Sequence, residues 1–232
     1  MMTARARVDF AETFASLDAL FYERALHAAP IPSDLAVARG RLGVRIAMKA
    51  FEGERVSRAL LTHVSAAPLF EGLSIVCHPR PEWNVPLLIA DVRVVPSGAT
   101  HAFVDACGLN QQGEFDALFR KPLSQTLDAA VASAVRRKRL PAWLDRITAG
   151  AGAELAAAPG RGHVLTYALV RYVERWLDGA ARATESIDPS KSAAALRKVC
   201  ETVQTHTRGV RMISRVFGSS FAERYAALAW RP

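Results

Sequence analysis

The sequence predicts a mixed fold, either α+β or a three-layer α/β/α sandwich, and three observations support this. An amphipathic helix is expected over Phe10–Ala28, because apolar residues recur there at helical spacing. The pattern then changes, over residues 42–107, to apolar runs separated by short turns. After Gly108 the helical pattern returns. A helix, a sheet and a second block of helices therefore follow one another along the chain.

The middle of the chain predicts five strands. Connections of a few residues suit hairpins, so the sheet is expected to be largely antiparallel. The predicted strands are Leu42–Phe51, Arg55–Val64, Leu73–Cys77, Val85–Val95 and His101–Cys107.

The second half predicts four helices. Proline stands in the first turn of two of them, and Asp188 precedes one as a helix cap. The predicted helices are Pro122–Arg137, His163–Ala183, Asp188–Val216 and Phe221–Trp230.

Composition favours a single domain spanning residues 1–232. Half of the 232 residues are hydrophobic, enough for a sizeable core, and no linker divides the chain. No apolar run is long enough to cross a bilayer, and no secretory signal is evident. The three cysteines, Cys77, Cys107 and Cys200, are too far apart for a CxxC pair or a disulfide framework. A reducing cytoplasm is therefore the expected location, without a membrane partner.

The chain carries a formal net charge of +8. A basic surface attracts nucleic acid, anionic membrane or an acidic protein, although an arginine-rich composition alone also explains the charge. No nucleic-acid-binding signature accompanies it. Phosphate-binding, dinucleotide, zinc-protease and nucleophile-elbow motifs are absent from the sequence, and the six histidines lack metal-ligand spacing. Motifs alone therefore indicate only a basic α/β domain without a metal.

Asp91 is the residue with the clearest chemical interest. It lies inside an apolar strand, on the same face as Leu87, Ile89 and Arg93 if the strand alternates. A strand that is apolar on both faces is expected at the centre of a sheet. Burial raises the pKa of a carboxyl group unless a cation compensates, so Asp91 is a candidate proton donor. The alternative is a structural ion pair with Arg93.

Several stretches carry a family signature in a fixed order. Val85–Asp91 follows a proline-rich turn, and Phe103–Cys107 contains a second aspartate. Arg211–Tyr225 holds a Phe-Gly helix end followed by Ala-Glu-Arg-Tyr, and Leu140–Trp143 adds a weaker match. Over roughly residues 51–230 the chain resembles the ferredoxin-dependent bilin reductases.

The resemblance implies a three-layer α/β/α sandwich with a central antiparallel sheet flanked by helices. A linear tetrapyrrole, such as biliverdin, would lie between the sheet and the C-terminal helices. It implies no bound flavin or metal, because electrons come singly from a reduced [2Fe–2S] ferredoxin and the tetrapyrrole accepts them. The positive charge would attract this acidic partner. A monomer is expected.

The resemblance also assigns individual residues. Asp91 matches the catalytic aspartate of the family, and Asp105 matches the second aspartate. Thr100, Lys138 and Arg208 fall where members hold the bilin propionates, and cations bind carboxylates strongly in a partly dry site. For Lys138 the alternative is a solvated helix end or loop.

Four positions depart from the family pattern, the first two from its phycocyanobilin-forming branch and the last two from a pair that several members carry. Thr62 and Ser74 replace a glutamate and a histidine; both can contact substrate, but neither titrates near neutral pH. His206 and Thr207 replace an Asn-Asp pair. His206 is the candidate replacement donor, since histidine titrates near pH 6.5, although an exposed histidine is the alternative. His63 should point to the opposite sheet face.

Three functions remain open from the sequence. The first is reduction of biliverdin or a related bilin, with Asp91 and His206 as the catalytic residues. The second is a carrier that binds a tetrapyrrole without reducing it, suggested by the two lost proton donors. The third is reduction of a different linear tetrapyrrole, such as a chlorophyll breakdown product.

Overall fold

The computed structural model describes residues 8–66, 70–109, 114–133, 135–138, 140, 142–145, 147, 151–206 and 209–232. Within these ranges nine strands form one sheet, and eight α-helices lie on its two faces. The predicted three-layer α/β/α sandwich is confirmed. Call the face covered by the N-terminal helix the first face, and the face covered by the C-terminal helices the second face.

The strands follow the predicted hairpin order through the middle of the sheet. Neighbouring strands pair antiparallel in the order β1-β3-β4-β5-β6-β7-β9-β8, and β2 also pairs with β3. The strands are β1 (His27–Ala29), β2 (Val37–Arg39), β3 (Arg45–Glu52), β4 (Val56–Ala66), β5 (Phe70–Pro79), β6 (Leu87–Val94), β7 (Thr100–Cys107), β8 (Arg136–Lys138) and β9 (Ala153–Ala157).

The helices fall into an N-terminal, a central and a C-terminal group. A single 3₁₀ turn at Arg41–Gly43 and a π-helical turn at Asp116–Arg120 accompany them. None of the described helices is both long and apolar enough to cross a membrane. The helices are α1 (Phe10–Glu23), α2 (Ser33–Ala36), α3 (Lys121–Ala132), α4 (Ala142–Asp145), α5 (Gly162–Ala180), α6 (Pro189–His206), α7 (Gly209–Phe217) and α8 (Ser219–Trp230).

The main core lies on the first face, where α1, α3 and α5 pack on the sheet. The side chains of Phe21, Tyr172 and Trp176 are fully buried there, and each large aromatic side chain removes much apolar surface from water. The indole N–H of Trp176 donates to the carbonyl of Pro86, at 3.2 Å. This layer therefore fixes the start of β6 against α5.

Smaller apolar clusters lie on the second face, beneath α6, α7 and α8. They pack the two ends of this face, around Leu60 and Phe221 and around Leu87 and Leu196. Between these clusters the helices stand away from the sheet. The space between them forms the cavity described below.

The helices and strands differ from the sequence predictions mainly at the edges. The helix predicted to Arg137 ends at Ala132, and the basic run forms the edge strand β8 instead. Its partner β9 was missed, because alanine and glutamate are poor strand formers. The helix predicted to run from Asp188 to Val216 is two helices, α6 and α7, that flank residues 207–208.

Thr100 does not lie where the family resemblance implied. Phe103 lies opposite Asp91 on the second face, so period-two alternation directs Thr100 toward the first face. The Thr100 side chain is buried and lies against Gly162, the first residue of α5. A β-carbon at Gly162 would overlap with the hydroxyl of Thr100 and with Val8. Thr100 thus lies on the first face of the sheet, and its contact with a propionate stays an untested prediction that this placement does not favour.

This packing predicts that Gly162→Ala destabilises the protein by about 1–3 kcal/mol, because the new methyl group overlaps with Thr100. Urea denaturation would measure the change in the free energy of unfolding. Gly209→Ala is the matched control, since among the described residues no atom outside its chain neighbours and its own helix backbone lies within 4 Å of the position its β-carbon would take. Equal stability of the two variants would contradict this placement of Thr100.

Candidate active site

A cavity of about 770 Å³ lies between the second face of the sheet and the C-terminal helices. This volume is within the range of roughly 300–1,000 Å³ that is usual for ligand pockets. The helical wall is mostly apolar and aromatic, with Val203, Val210, Ile213, Tyr225 and Trp230. The sheet wall carries most of the polar groups. The cavity therefore suits an organic ligand with broad apolar faces.

One row of residues crosses the floor of the cavity from strand to strand. Thr62 lies opposite Ser74, Ser74 opposite Asp91, Asp91 opposite Phe103, and Phe103 opposite Glu154. Directly opposed residues in antiparallel strands point to the same face of the sheet. The register therefore brings Thr62, Ser74 and Asp91 together, and all five members of the row line the cavity.

Asp91 lies at the middle of this row and has two hydrogen-bond partners. Its Oδ2 accepts from the guanidinium of Arg93, at 2.7 Å, and its Oδ1 accepts from the backbone N–H of Phe103, at 3.1 Å. Burial raises the pKa of Asp91, while the Arg93 charge and the Phe103 N–H oppose that rise. Asp91 is thus an ion-paired carboxylate that also lines the cavity, and its role as a proton donor stays a prediction.

His206 ends α6 at the rim of the cavity. Its Nδ1 lies 2.9 Å from the carbonyl oxygen of Thr202, and a carbonyl only accepts, so Nδ1 carries the hydrogen. In the neutral ring Nε2 is then the free proton acceptor. The ring stacks on Trp143, with 4.9 Å between ring centroids and 16° between planes. Its imidazole is therefore held in a defined tautomer and orientation.

Tyr225 of α8 is a site residue that the sequence reasoning missed. It is 8% exposed, it lines the cavity, and its hydroxyl is hydrogen bonded to the Thr62 side chain. Burial raises the pKa of Tyr225, the bond to Thr62 opposes the rise, and the Asp91 charge adds to it. Its spacing from Phe221 on α8 could have shown that it faces inward, although not that it faces Thr62.

Two cations, Arg93 of β6 and Lys138 of β8, stand on either side of His101 of β7 and form a cationic ridge beside the cavity. Arg93 lies opposite His101, and Lys138 lies opposite Glu154. Lys138 Nζ donates to Nδ1 of His101, at 3.1 Å, and lies 3.5 Å from the Glu154 carboxylate. Burial, and then the charges of Lys138 and Arg93, lower the pKa of His101. Lys138 thus belongs to an edge strand, whereas Arg208 lies outside the described residues.

Asp105 is separate from the cavity, although its strand position places it on the second face. It is fully buried, and its Oδ2 accepts from the Cys107 thiol, at 2.9 Å. No described residue donates to its Oδ1, which would lie 2.5 Å from a β-carbon at Gly152. Burial raises the pKa of Asp105 to about 7. Asp105 does not line the cavity, so its predicted contact with the substrate stays a prediction that this cavity does not support.

His63 points to the first face, as the alternation of β4 predicts. Its Nε2 lies 3.1 Å from Glu71, and its ring lies 6.5 Å from that of Phe10 on α1. The described residues contain no group of three or more histidine, cysteine, aspartate or glutamate side chains that could hold a metal ion.

Asp105 predicts a pH dependence of stability. In the folded state the Asp105 carboxyl keeps its proton to about pH 7, whereas an unfolded aspartate loses its proton near pH 4. The free energy of unfolding therefore falls as the pH rises between these two values. The difference between the two pKa values corresponds to a loss on the order of 4 kcal/mol in the free energy of unfolding. Asp105→Asn removes this loss, so the variant should gain stability over the wild type as the pH is raised.

Urea denaturation from about pH 4 to about pH 8 would measure that difference. His78 is a second buried titrating group, with its pKa lowered to about 4, but it is common to both proteins and its effect cancels. A stability difference between the wild type and Asp105→Asn that does not change with pH would contradict this account.

The described geometry defines an α/β/α sandwich with an apolar ligand cavity, a central carboxylate and a cationic ridge. Residues 16–228 match the family model of the ferredoxin-dependent bilin reductases. The match covers most of the chain, so this protein belongs to that family.

One curated protein and one solved structure are similar to this chain. The chain is 23% identical over 201 residues to the phycocyanobilin:ferredoxin oxidoreductase of Gloeobacter violaceus, across 84% of this chain and 78% of that protein. Its fold superposes with a TM-score of 0.78 on a crystal structure of phytochromobilin synthase from tomato in complex with biliverdin. That alignment covers 94% of this chain and 81% of the other at 15% identity, so it supports the fold alone.

Proposed function

We propose that this protein reduces a linear tetrapyrrole, biliverdin or a related bilin, to a phycobilin with electrons from reduced ferredoxin. One observation carries the proposal: an ionisable carboxyl group, Asp91, lies on the floor of a large apolar cavity in a member of the bilin reductase family. Such a cavity offers apolar walls to the tetrapyrrole rings and one acid to their nitrogen atoms.

The overall reaction needs electrons and protons in equal number. Two reduced ferredoxins are each oxidised by one electron, and these two electrons with two protons saturate one double bond of the bilin. The tetrapyrrole itself accepts the electrons, so the task of the protein is to position protons and stabilise charge. Asp91 supplies a proton from the sheet side, since burial raises its pKa toward the range where a carboxyl group can donate.

The helix side offers further groups for the second proton. His206 presents Nε2 at the rim, because Nδ1 is held by Thr202. Tyr225 presents a phenol that is bonded to Thr62. These two side chains face the positions of Thr62 and Ser74, which carry hydroxyl groups without a titrating proton. We infer that the protein obtains its second proton from the helices rather than from the neighbouring strands.

The cationic ridge supplies the contacts for the acidic ends of the ligand. Lys138 lies beside Glu154, which lines the cavity, and Arg208 is proposed for the same role. A cation near the rim holds a carboxylate more strongly than water does when the site is partly dry. Thr62 and Ser74 are proposed to contact the bilin from the cavity floor. The electron donor is proposed to be an acidic ferredoxin, attracted by the net charge of +8.

A second candidate function is tetrapyrrole binding without reduction. The observation that favours it is the hydroxyl pair of Thr62 and Ser74, which stand beside Asp91 and cannot donate a proton near neutral pH. Anaerobic mixing with biliverdin and a ferredoxin-reducing system distinguishes the two functions. A stable spectral complex without a product would favour binding alone.

Asp91→Asn is predicted to lower the rate of biliverdin reduction by about 10²–10⁴-fold, because an amide cannot deliver the proton. Absorption spectra during anaerobic turnover measure the rate, and chromatography identifies the product. Asp34→Asn is a matched control, since Asp34 pairs with Arg224 at an exposed position outside the cavity lining. Full activity of Asp91→Asn would rule out the proposed proton donor.

His206→Gln is predicted to slow the same reaction by about 10²-fold, because the rim then lacks the imidazole proposed to pass the second proton. Tyr225→Phe should have a smaller effect, since burial raises the pKa of its phenol and makes the anion costly. His163→Gln, an exposed histidine at the start of α5, is the control. The opposite order of the two effects would assign the second proton to Tyr225.

A further inference from the structure

We propose that Arg93 is a positioning residue that changes its ion-pair partner when the ligand binds. In the free protein its guanidinium pairs with Asp91 and keeps it a carboxylate. In the complex Arg93 pairs with a carboxylate of the bound tetrapyrrole instead, and Asp91 takes up a proton. This inference rests on the proposed function and names the event that prepares Asp91 to act as an acid.

The contacts of Asp91 favour the carboxylate as long as Arg93 stays beside it. Phe103 N–H donates to Oδ1, and the guanidinium of Arg93 donates to Oδ2 at 2.7 Å. A guanidinium has only donors and keeps its positive charge. A proton on Asp91 would therefore be placed next to a fixed cation, and the Arg93 charge opposes that protonation. Protonation of Asp91 is favoured once Arg93 has moved away.

Arg93 is well placed to move. Its side chain is 42% exposed, and it lines the cavity together with Asp91. Gly72 on the neighbouring strand leaves room for the base of this side chain, because a β-carbon there would approach the β-carbon of Arg93 to 3.0 Å. Guanidinium groups bind carboxylates through two parallel hydrogen bonds, so a ligand carboxylate competes well with Asp91 for Arg93.

The charges around Asp91 favour the uptake of one proton. In the free protein two ion pairs balance, Arg93 with Asp91 and Lys138 with Glu154. Entry of one ligand carboxylate adds a negative charge to a partly buried site, which is unfavourable unless it is compensated. Protonation of Asp91 restores the balance. Of the other described titratable side chains, His206 of α6 and Tyr225 of α8 line the cavity, and His101 of β7 lies opposite Arg93.

Among these groups Asp91 is the carboxyl whose environment favours the neutral form. Burial raises its pKa, and the Arg93 charge is the largest effect that opposes the rise. The pKa of His101 is lowered by burial and by Lys138 and Arg93, so a proton is not favoured there. Loss of the Arg93 contact therefore directs the incoming proton to Asp91.

The experiment is calorimetric titration of the full chain with biliverdin at pH 7, repeated in buffers with different enthalpies of ionisation. The wild type should take up about one proton for each biliverdin bound. Arg93→Gln should lose most of this uptake, because burial then raises the pKa of Asp91 without the opposing Arg93 charge and favours the acid before the ligand binds. Arg93→Lys keeps a cation and should recover part of it. Biliverdin dimethyl ester, which has no free carboxylate, should bind the wild type without the uptake.

Asp91→Asn should abolish the uptake, whereas Asp34→Asn, at an exposed ion pair outside the cavity lining, should retain it. Equal proton uptake by the wild type and Arg93→Gln would overturn the role of Arg93, even if both proteins bind and reduce biliverdin. The same uptake with the dimethyl ester would also overturn it, without any substitution. Failure of the wild type to bind biliverdin would instead refute the proposed function, so the two failures are distinguishable.

Discussion

A carboxylate on the central strand of a buried sheet needs compensation, and the ion pair between Asp91 and Arg93 provides it. The strand β6 is covered by α5 on its first face and flanked by β5 and β7, so most of its residues are fully buried. An isolated charge in such a place would be strongly disfavoured. The cavity gives Asp91 partial access to solvent, and Arg93 gives it a counter-charge. The sheet therefore buries Asp91, the cavity exposes it in part, and Arg93 of the cationic ridge balances its charge.

The layered fold separates stability from chemistry. The first face holds the continuous core of α1, α3 and α5, with the largest buried aromatic side chains. The second face has two smaller clusters with the cavity between them. Because the rigid layer fixes the strand register from behind, a row of side chains can face the cavity at fixed spacing. Residues of this row, such as Thr62 and Ser74, lie outside that first-face core.

Much of this arrangement could be predicted from the sequence. The five central strands and the position of Asp91 follow from apolar runs and turn residues, which are local signals. The edge strands β8 and β9 could not be found that way, since arginine and alanine-glutamate segments are typical of helices and only pairing makes them strands. Thr100 lies three residues from Phe103 on β7, so the alternation of the strand places the two side chains on opposite faces, which the family resemblance alone does not reveal. Tyr225 was missed because its position opposite Thr62 depends on how α8 packs.

The ion pair between Asp91 and Arg93 does not exclude a catalytic role for Asp91. An ion pair with Arg93 and a catalytic role for Asp91 were treated as competing explanations, yet the same two side chains lie 2.7 Å apart on the cavity wall. We propose that the protein reduces a bilin that is bound in this cavity. Anaerobic incubation of the protein with biliverdin and reduced ferredoxin tests it most directly. The account predicts that the biliverdin spectrum is replaced by that of a reduced bilin, identified by mass. A bound spectrum that persists unchanged under the same reducing conditions would contradict it.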